Sequence, residues 1–223
     1  DRVARLEPTA AAAPPPPAAA GADVASELPE TSGAGEAHDV AHTAGITIRF
    51  DGRRCIHARH CVLEAPSVFR ANTPGEWIHP EAATVEHCVR VAERCPSGAI
   101  TYERHDGGPQ EAAPSVNVVR VRENGPYAVH AQIAGSCAGA FRATLCRCGK
   151  SRRKPYCDGS HAAAAFAATG EPAARTSEPL AERAGPLRID PVPNGPLVLA
   201  GNVEICSGTG RTVWRTTSVR LCR

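Results

Sequence analysis

Residues 146–161 read CRCGKSRRKPYCDGSH, which packs three cysteines and a histidine into sixteen positions of a chain whose aromatic content is only 4%. Cys146 and Cys148 are separated by one residue, Cys157 follows nine residues later and His161 four beyond that. Three soft thiolates and one imidazole from a single loop suffice to close one metal centre. The residues between them suit convergence: Pro155 stiffens the approach, Asp158-Gly159 is a turn-forming pair, and Ser160 is placed to bond a sulfur or cap a helix beginning near the histidine. Tetrahedral zinc is also satisfied by three cysteines and a histidine. Zinc sites, however, usually draw on two Cys-x2-4-Cys or His pairs rather than a Cys-x-Cys followed by two spaced ligands.

The full pattern Cys-x-Cys-x2-Ser-x3-Pro-x-Cys-Asp-Gly-Ser-His resembles the CDGSH iron–sulfur signature of the mitoNEET-like proteins, and every fixed position matches. The likeness extends back to the NGP turn at Asn124 and forward to Phe166 and Thr169-Gly170. It implies a 2Fe-2S cluster held by Cys146, Cys148, Cys157 and His161 in a small β-rich fold that is often dimeric or internally duplicated. Replacing a thiolate by a neutral imidazole makes such a cluster less negative by one unit, which eases reduction, and adds a ligand open to protonation. Arg147, Lys150, Arg152, Arg153 and Lys154 crowd the same loop, where they would stabilise an anionic cluster and attract an acidic redox partner.

Upstream, residues 46–102 hold Cys55-x5-Cys61 near their start and Cys95-Pro96 near their end. That arrangement fits the bacterial ferredoxin pattern, in which closely spaced cysteines combine with a remote Cys-Pro, except that Ala58 stands where the middle cysteine belongs. The CIHA loop, Leu63, Ala65-Pro66, Val68-Phe69 and CPSGAI together resemble the divergent single-cluster ferredoxins. With Cys55, Cys61 and Cys95 as the well-placed thiolates, a 3Fe-4S cluster is expected; a 4Fe-4S cluster would take its fourth ligand from His57, His60 or water. On a continuous helix Cys88 would lie roughly 10 Å from Cys95, too far to share a small cluster, so core packing is its expected role.

Composition sorts the remainder. Residues 1–44 are rich in Ala, Pro and Gly, lack aromatics and read as a disordered linker, and a second hinge is expected over 171–193. ITIRF (46–50), SVNVVRV (115–121) and YAVHAQI (127–133) pattern as strands, and EHCVRVAERC (86–95) as a helix. The NGP turn recurs at Asn194, and the segment from there to Cys222 aligns with the first copy up to Cys146. The expected architecture is therefore α+β: a ferredoxin-like domain over 45–105, a CDGSH domain over 115–170 and a truncated second CDGSH module over 194–223. A continuation past Arg223 with the missing ligands is expected from that repeat. Cys137 and Cys206 have no partner at ligand spacing and are expected to be structural, whereas Cys222 aligns with Cys146.

A formal net charge of +2 gives no global case for nucleic acid or an anionic membrane, and no apolar run is long enough to span a bilayer. Ten cysteines without an export signal point to reduced thiols and a cytoplasmic setting. No catalytic triad, phosphate loop or nucleotide fingerprint is present, so electron transfer between partner proteins is expected rather than catalysis. The alternatives are a redox tail for an upstream enzyme domain, and a cluster carrier or redox sensor.

Overall fold

The alternating stretch Ile46–Asp51 forms β2 of a three-stranded antiparallel sheet, with β1 (His38–His42) and β3 (Ile100–Arg104) on either side. The computed structural model describes residues 38–222. Expectations for the linker at 1–37 lie outside them, while the last residues of that expected linker instead form β1, whose five residues pair with β2 in register from His38–Asp51 to His42–Thr47. Between β2 and β3 run α1 (His60–Glu64), a single 3-10 turn (Pro80–Ala82) and α2 (Val85–Glu93). Thr84 caps α2 by accepting from the His87 N–H, and the helix buries Cys88, Val91 and Ala92. These residues join Ile46, Ile48, Val68, Phe69, Ile78 and Ile100 in the first of two cores. Cys88 packs there with no exposed surface.

The second core belongs to a seven-stranded sheet of β4 (Val118–Val121), β5 (Tyr127–His130), β6 (Gln132–Gly135), β7 (Arg142–Leu145), β8 (Pro186–Pro191), β9 (Leu197–Cys206) and β10 (Thr212–Leu221). The hinge expected over 171–193 thus contains a strand, β8: Leu187 and Ile189 alternate into the core, where they are fully buried. Both NGP turns have the same geometry. Asn124 and Asn194 adopt left-handed φ of 47° and 49°, and the following glycines donate to the carbonyls of Arg122 and Val192.

Strand exchange relates the two halves of this sheet. β6 runs parallel to β8 with Ala134 opposite Arg188, and β4 runs parallel to β9 with Val118 opposite Glu204. The offset that carries Asn124 onto Asn194 carries one of these registers onto the other. Each half therefore supplies a strand to the other, and Val119, Ile133, Leu145, Leu187, Leu199 and Val203 close a common interior. A polar layer joins this core to the first: Arg54, Arg142 and Thr144 are buried there, with the buried Gly98 beside them.

Candidate metal centres

The loop 146–161 is drawn shut by backbone pairing beyond β7. Cys146 N–H donates to the Pro155 carbonyl at 2.8 Å, Cys157 N–H donates to the Thr144 carbonyl at 2.9 Å, and Leu145 bridges to Tyr156. Inside it, Ser151 is 5% exposed; its hydroxyl donates to the Tyr156 carbonyl at 2.6 Å and accepts from the Arg153 N–H at 3.0 Å. Asp158 holds the turn from the other end by accepting from the N–H groups of Arg152 (2.9 Å) and Ser160 (3.0 Å). Partial burial would raise its carboxyl, but the Ser160 hydroxyl and these N–H donors prevail and hold it down at about 2. Gly159, at φ 87°, turns the chain into the short α3 (Ser160–Ala163), which carries His161. Ser160 begins this helix without a side-chain cap, and it bonds Asp158 instead.

The four predicted ligands meet as two pairs. Cys146 Sγ and Cys148 Sγ are 4.0 Å apart, and Cys157 Sγ lies 3.5 Å from His161 Nδ1. Backbone N–H groups of Lys150 and Gly159 point at Cys148 Sγ (3.4 Å) and Cys157 Sγ (3.5 Å), where they would offset the negative charge of a bound cluster and raise its potential. Among the described residues no three His, Cys, Asp or Glu side chains close on one point as a single-ion site would require. Each pair could serve one iron of a two-iron unit. Burial pushes the Cys157 thiol up, and the charges of Cys146, Asp158 and Cys148 add to this against the pull of the Gly159 N–H. Loading the site must therefore displace protons, so affinity rises with pH.

Cys55 lies in the loop after β2, Cys61 in α1 and Cys95 two residues beyond α2; the three do not close on one point, but Cys95 is near enough to act electrostatically on both other thiols. Burial pushes the Cys55 and Cys61 thiols up, and the nearby Cys95 charge pushes both further. The Cys55–Cys61 loop reverses through two left-handed residues, His57 (φ 54°) and Arg59 (φ 65°), and the His57 N–H donates to Cys55 Sγ at 3.4 Å. Ala58 is exposed between them. His60 turns its Nδ1 to Glu64 at 3.3 Å, while the His57 side chain is exposed.

Comparison with protein families gives two matches: residues 42–105 fit the divergent 4Fe-4S mono-cluster family, and residues 114–162 fit the iron-binding zinc finger of CDGSH type. The chain thus holds two segments similar to iron-binding families. Comparison with curated proteins and with solved structures returns no match. In the CDGSH domain, only part of the expected cationic cluster is open to a partner. Lys150, Arg152 and Lys154 are exposed, whereas Arg147 donates to the carbonyls of Arg122 and Thr169 and stacks over Tyr127 and Phe166. Arg153 reaches away to the ferredoxin domain.

Among the other cysteines, Cys137 is fully buried in the second core, and Cys206 is buried with its Sγ 3.7 Å from Thr212 Oγ1. Cys222 is exposed, its carbonyl accepting from the Tyr127 hydroxyl. Sequence reasoning gave no role to Ser151, although it is a fixed position of the motif. Nor did it find Thr144 or Arg54, whose bonds to the other domain leave no local signal.

Proposed function

We propose that the chain is an electron-transfer protein with a 2Fe-2S cluster at Cys146, Cys148, Cys157 and His161, and a 3Fe-4S cluster at Cys55, Cys61 and Cys95. The observation that carries this reading is the paired approach of the four CDGSH ligands, with N–H donors aimed at two of the sulfurs. When bound, such clusters supply reversible one-electron chemistry. The protein's own part is to hold the ligands rigid through Ser151 and Asp158, to lower the cost of added negative charge with backbone dipoles, and to present Lys150, Arg152 and Lys154 to an acidic partner surface. Residues 186–222 are read as a partial second module, supported by the matched turns and reciprocal strand registers.

The nuclearity of the ferredoxin site is tested by restoring its absent thiolate. Oxidised protein should show the paramagnetic signal of a 3Fe-4S cluster, and Ala58→Cys, at an exposed position, should replace it with a 4Fe-4S cluster that is silent until reduced. If anaerobically prepared wild type already holds a 4Fe-4S cluster there, and His57→Ala or His60→Ala costs it an iron, nitrogen ligation is correct and the three-iron assignment is wrong.

A further inference from the structure

The two ligand loops are tied directly to each other. Arg153, inside the CDGSH loop, donates from Nη1 to the carbonyls of Gly52 (2.9 Å) and Cys55 (3.4 Å). Arg54, the residue before Cys55, lies with its guanidinium 4.9 Å from the ring centroid of Tyr156, the residue before Cys157. The side chain of Arg54 is then fixed by donating to the carbonyls of Cys137 and Ala138. A third tie runs through Thr144, which is 3% exposed. Its hydroxyl donates to the carbonyl of Pro96, next to Cys95, at 3.4 Å, while its own carbonyl accepts from Cys157 N–H at 2.9 Å. Two hydrogen bonds thus separate the backbone beside one ferredoxin ligand from the backbone of one CDGSH ligand.

Charge follows the same path. Arg54 is paired with Asp51 at 3.5 Å and Arg142 with Glu111 at 2.6 Å, but among the described residues Arg153 forms no ion pair. Its positive charge stands between two thiolate-rich loops.

We propose that the two sites form one redox unit, joined through Arg153 and Thr144, in which an electron entering at either site passes to the other within the chain. This rests on the reading that both loops hold iron–sulfur clusters. With both clusters bound, one centre would be oxidised by one electron and the other reduced by one, and no bond would form or break. Because Arg153 faces both loops, its charge favours the reduced form of both centres, whereas its exposed neighbour Arg152 bonds, among the described residues, only to Asp158 of its own loop.

The test uses the full chain, assembled without oxygen and mixed rapidly with less than one electron equivalent of dithionite, with electron paramagnetic resonance of freeze-quenched samples following each centre. Redistribution between the two signals should be first-order, at a rate independent of protein concentration. Thr144→Val and Arg153→Gln should slow it at unchanged iron and sulfide content. Arg153→Gln should also shift both midpoint potentials downward, while Arg152→Gln leaves the ferredoxin-side potential in place. A rate that rises with protein concentration, or an Arg153→Gln shift confined to the CDGSH signal, overturns the inference and leaves the cluster assignments standing. Absence of either signal overturns the cluster reading and the inference with it.

Discussion

At the scale of single residues, the CDGSH loop depends on side chains that never touch metal. Ser151→Ala removes a buried hydroxyl and strands the Tyr156 carbonyl and Arg153 N–H that it served, at a cost of about 1–3 kcal/mol. The expected outcome is faster loss of the CDGSH chromophore at neutral pH with the ferredoxin signal unchanged; equal loss rates in mutant and wild type would remove Ser151 from the account. Asp158 adds a pH dependence whose sign is set by its depressed carboxyl. The stabilisation is present above the ordinary value of 3.8 and fades as pH falls toward about 2, so the turn should keep its shape through mildly acidic conditions. Asp158→Asn should loosen the loop already at pH 7, seen as accelerated chromophore loss, and should flatten the acid dependence near pH 3. For the ligand itself, His161→Cys adds one negative charge to the centre and should lower its midpoint potential in a redox titration. An unchanged potential would exclude His161 as a ligand.

At the scale of elements, period-two alternation made β2, β4 and β5 readable, and the 3.6-residue period did the same for α2. What escaped was long-range pairing. β8 is hidden because its alternating Leu187 and Ile189 sit between prolines and glycines that mimic a linker, and β1 because its short His-Asp-Val-Ala-His stretch is held by distant partners, β2 and Trp77 among them. The CDGSH motif stands out because its four residues fall within sixteen positions, and the remote Cys95 is connected to Cys55 and Cys61 only through the ferredoxin pattern, whereas strand exchange is set by contacts more distant than any motif. It has a consequence for stability: Leu199 in β9 has no exposed surface and shares a core with β4, β6 and β7. Leu199→Ala should cost about 2–5 kcal/mol and lower the thermal midpoint for loss of the CDGSH chromophore, despite its distance in sequence from every ligand. Val91→Ala, in the other core, should affect the ferredoxin signal first. If both substitutions weaken both signals equally, the two cores are not separate units of stability.

At the scale of the whole molecule, the domains meet over a polar seam rather than a shared apolar core, and Gly98 of the CPSGAI stretch packs closely against Ala140 and Arg142 across it. Gly98 has φ +64°, and a side-chain carbon there would run into the Arg142 carbonyl and crowd Ala140 Cβ at 2.9 Å. Gly98→Ala should destabilise the seam by about 1–3 kcal/mol, seen as increased protease cleavage between residues 105 and 115 with both domains still folded; unchanged resistance would mean that the seam tolerates opening there. The central claim, that this seam joins two iron–sulfur sites, is tested most directly by metal and acid-labile sulfide analysis of the anaerobically purified chain together with its paramagnetic resonance. The expected result is iron and sulfide matching one 2Fe-2S and one 3Fe-4S cluster per chain, with one signal from oxidised protein and a distinct one appearing on reduction. Stoichiometric zinc with no acid-labile sulfide in the CDGSH loop would contradict it.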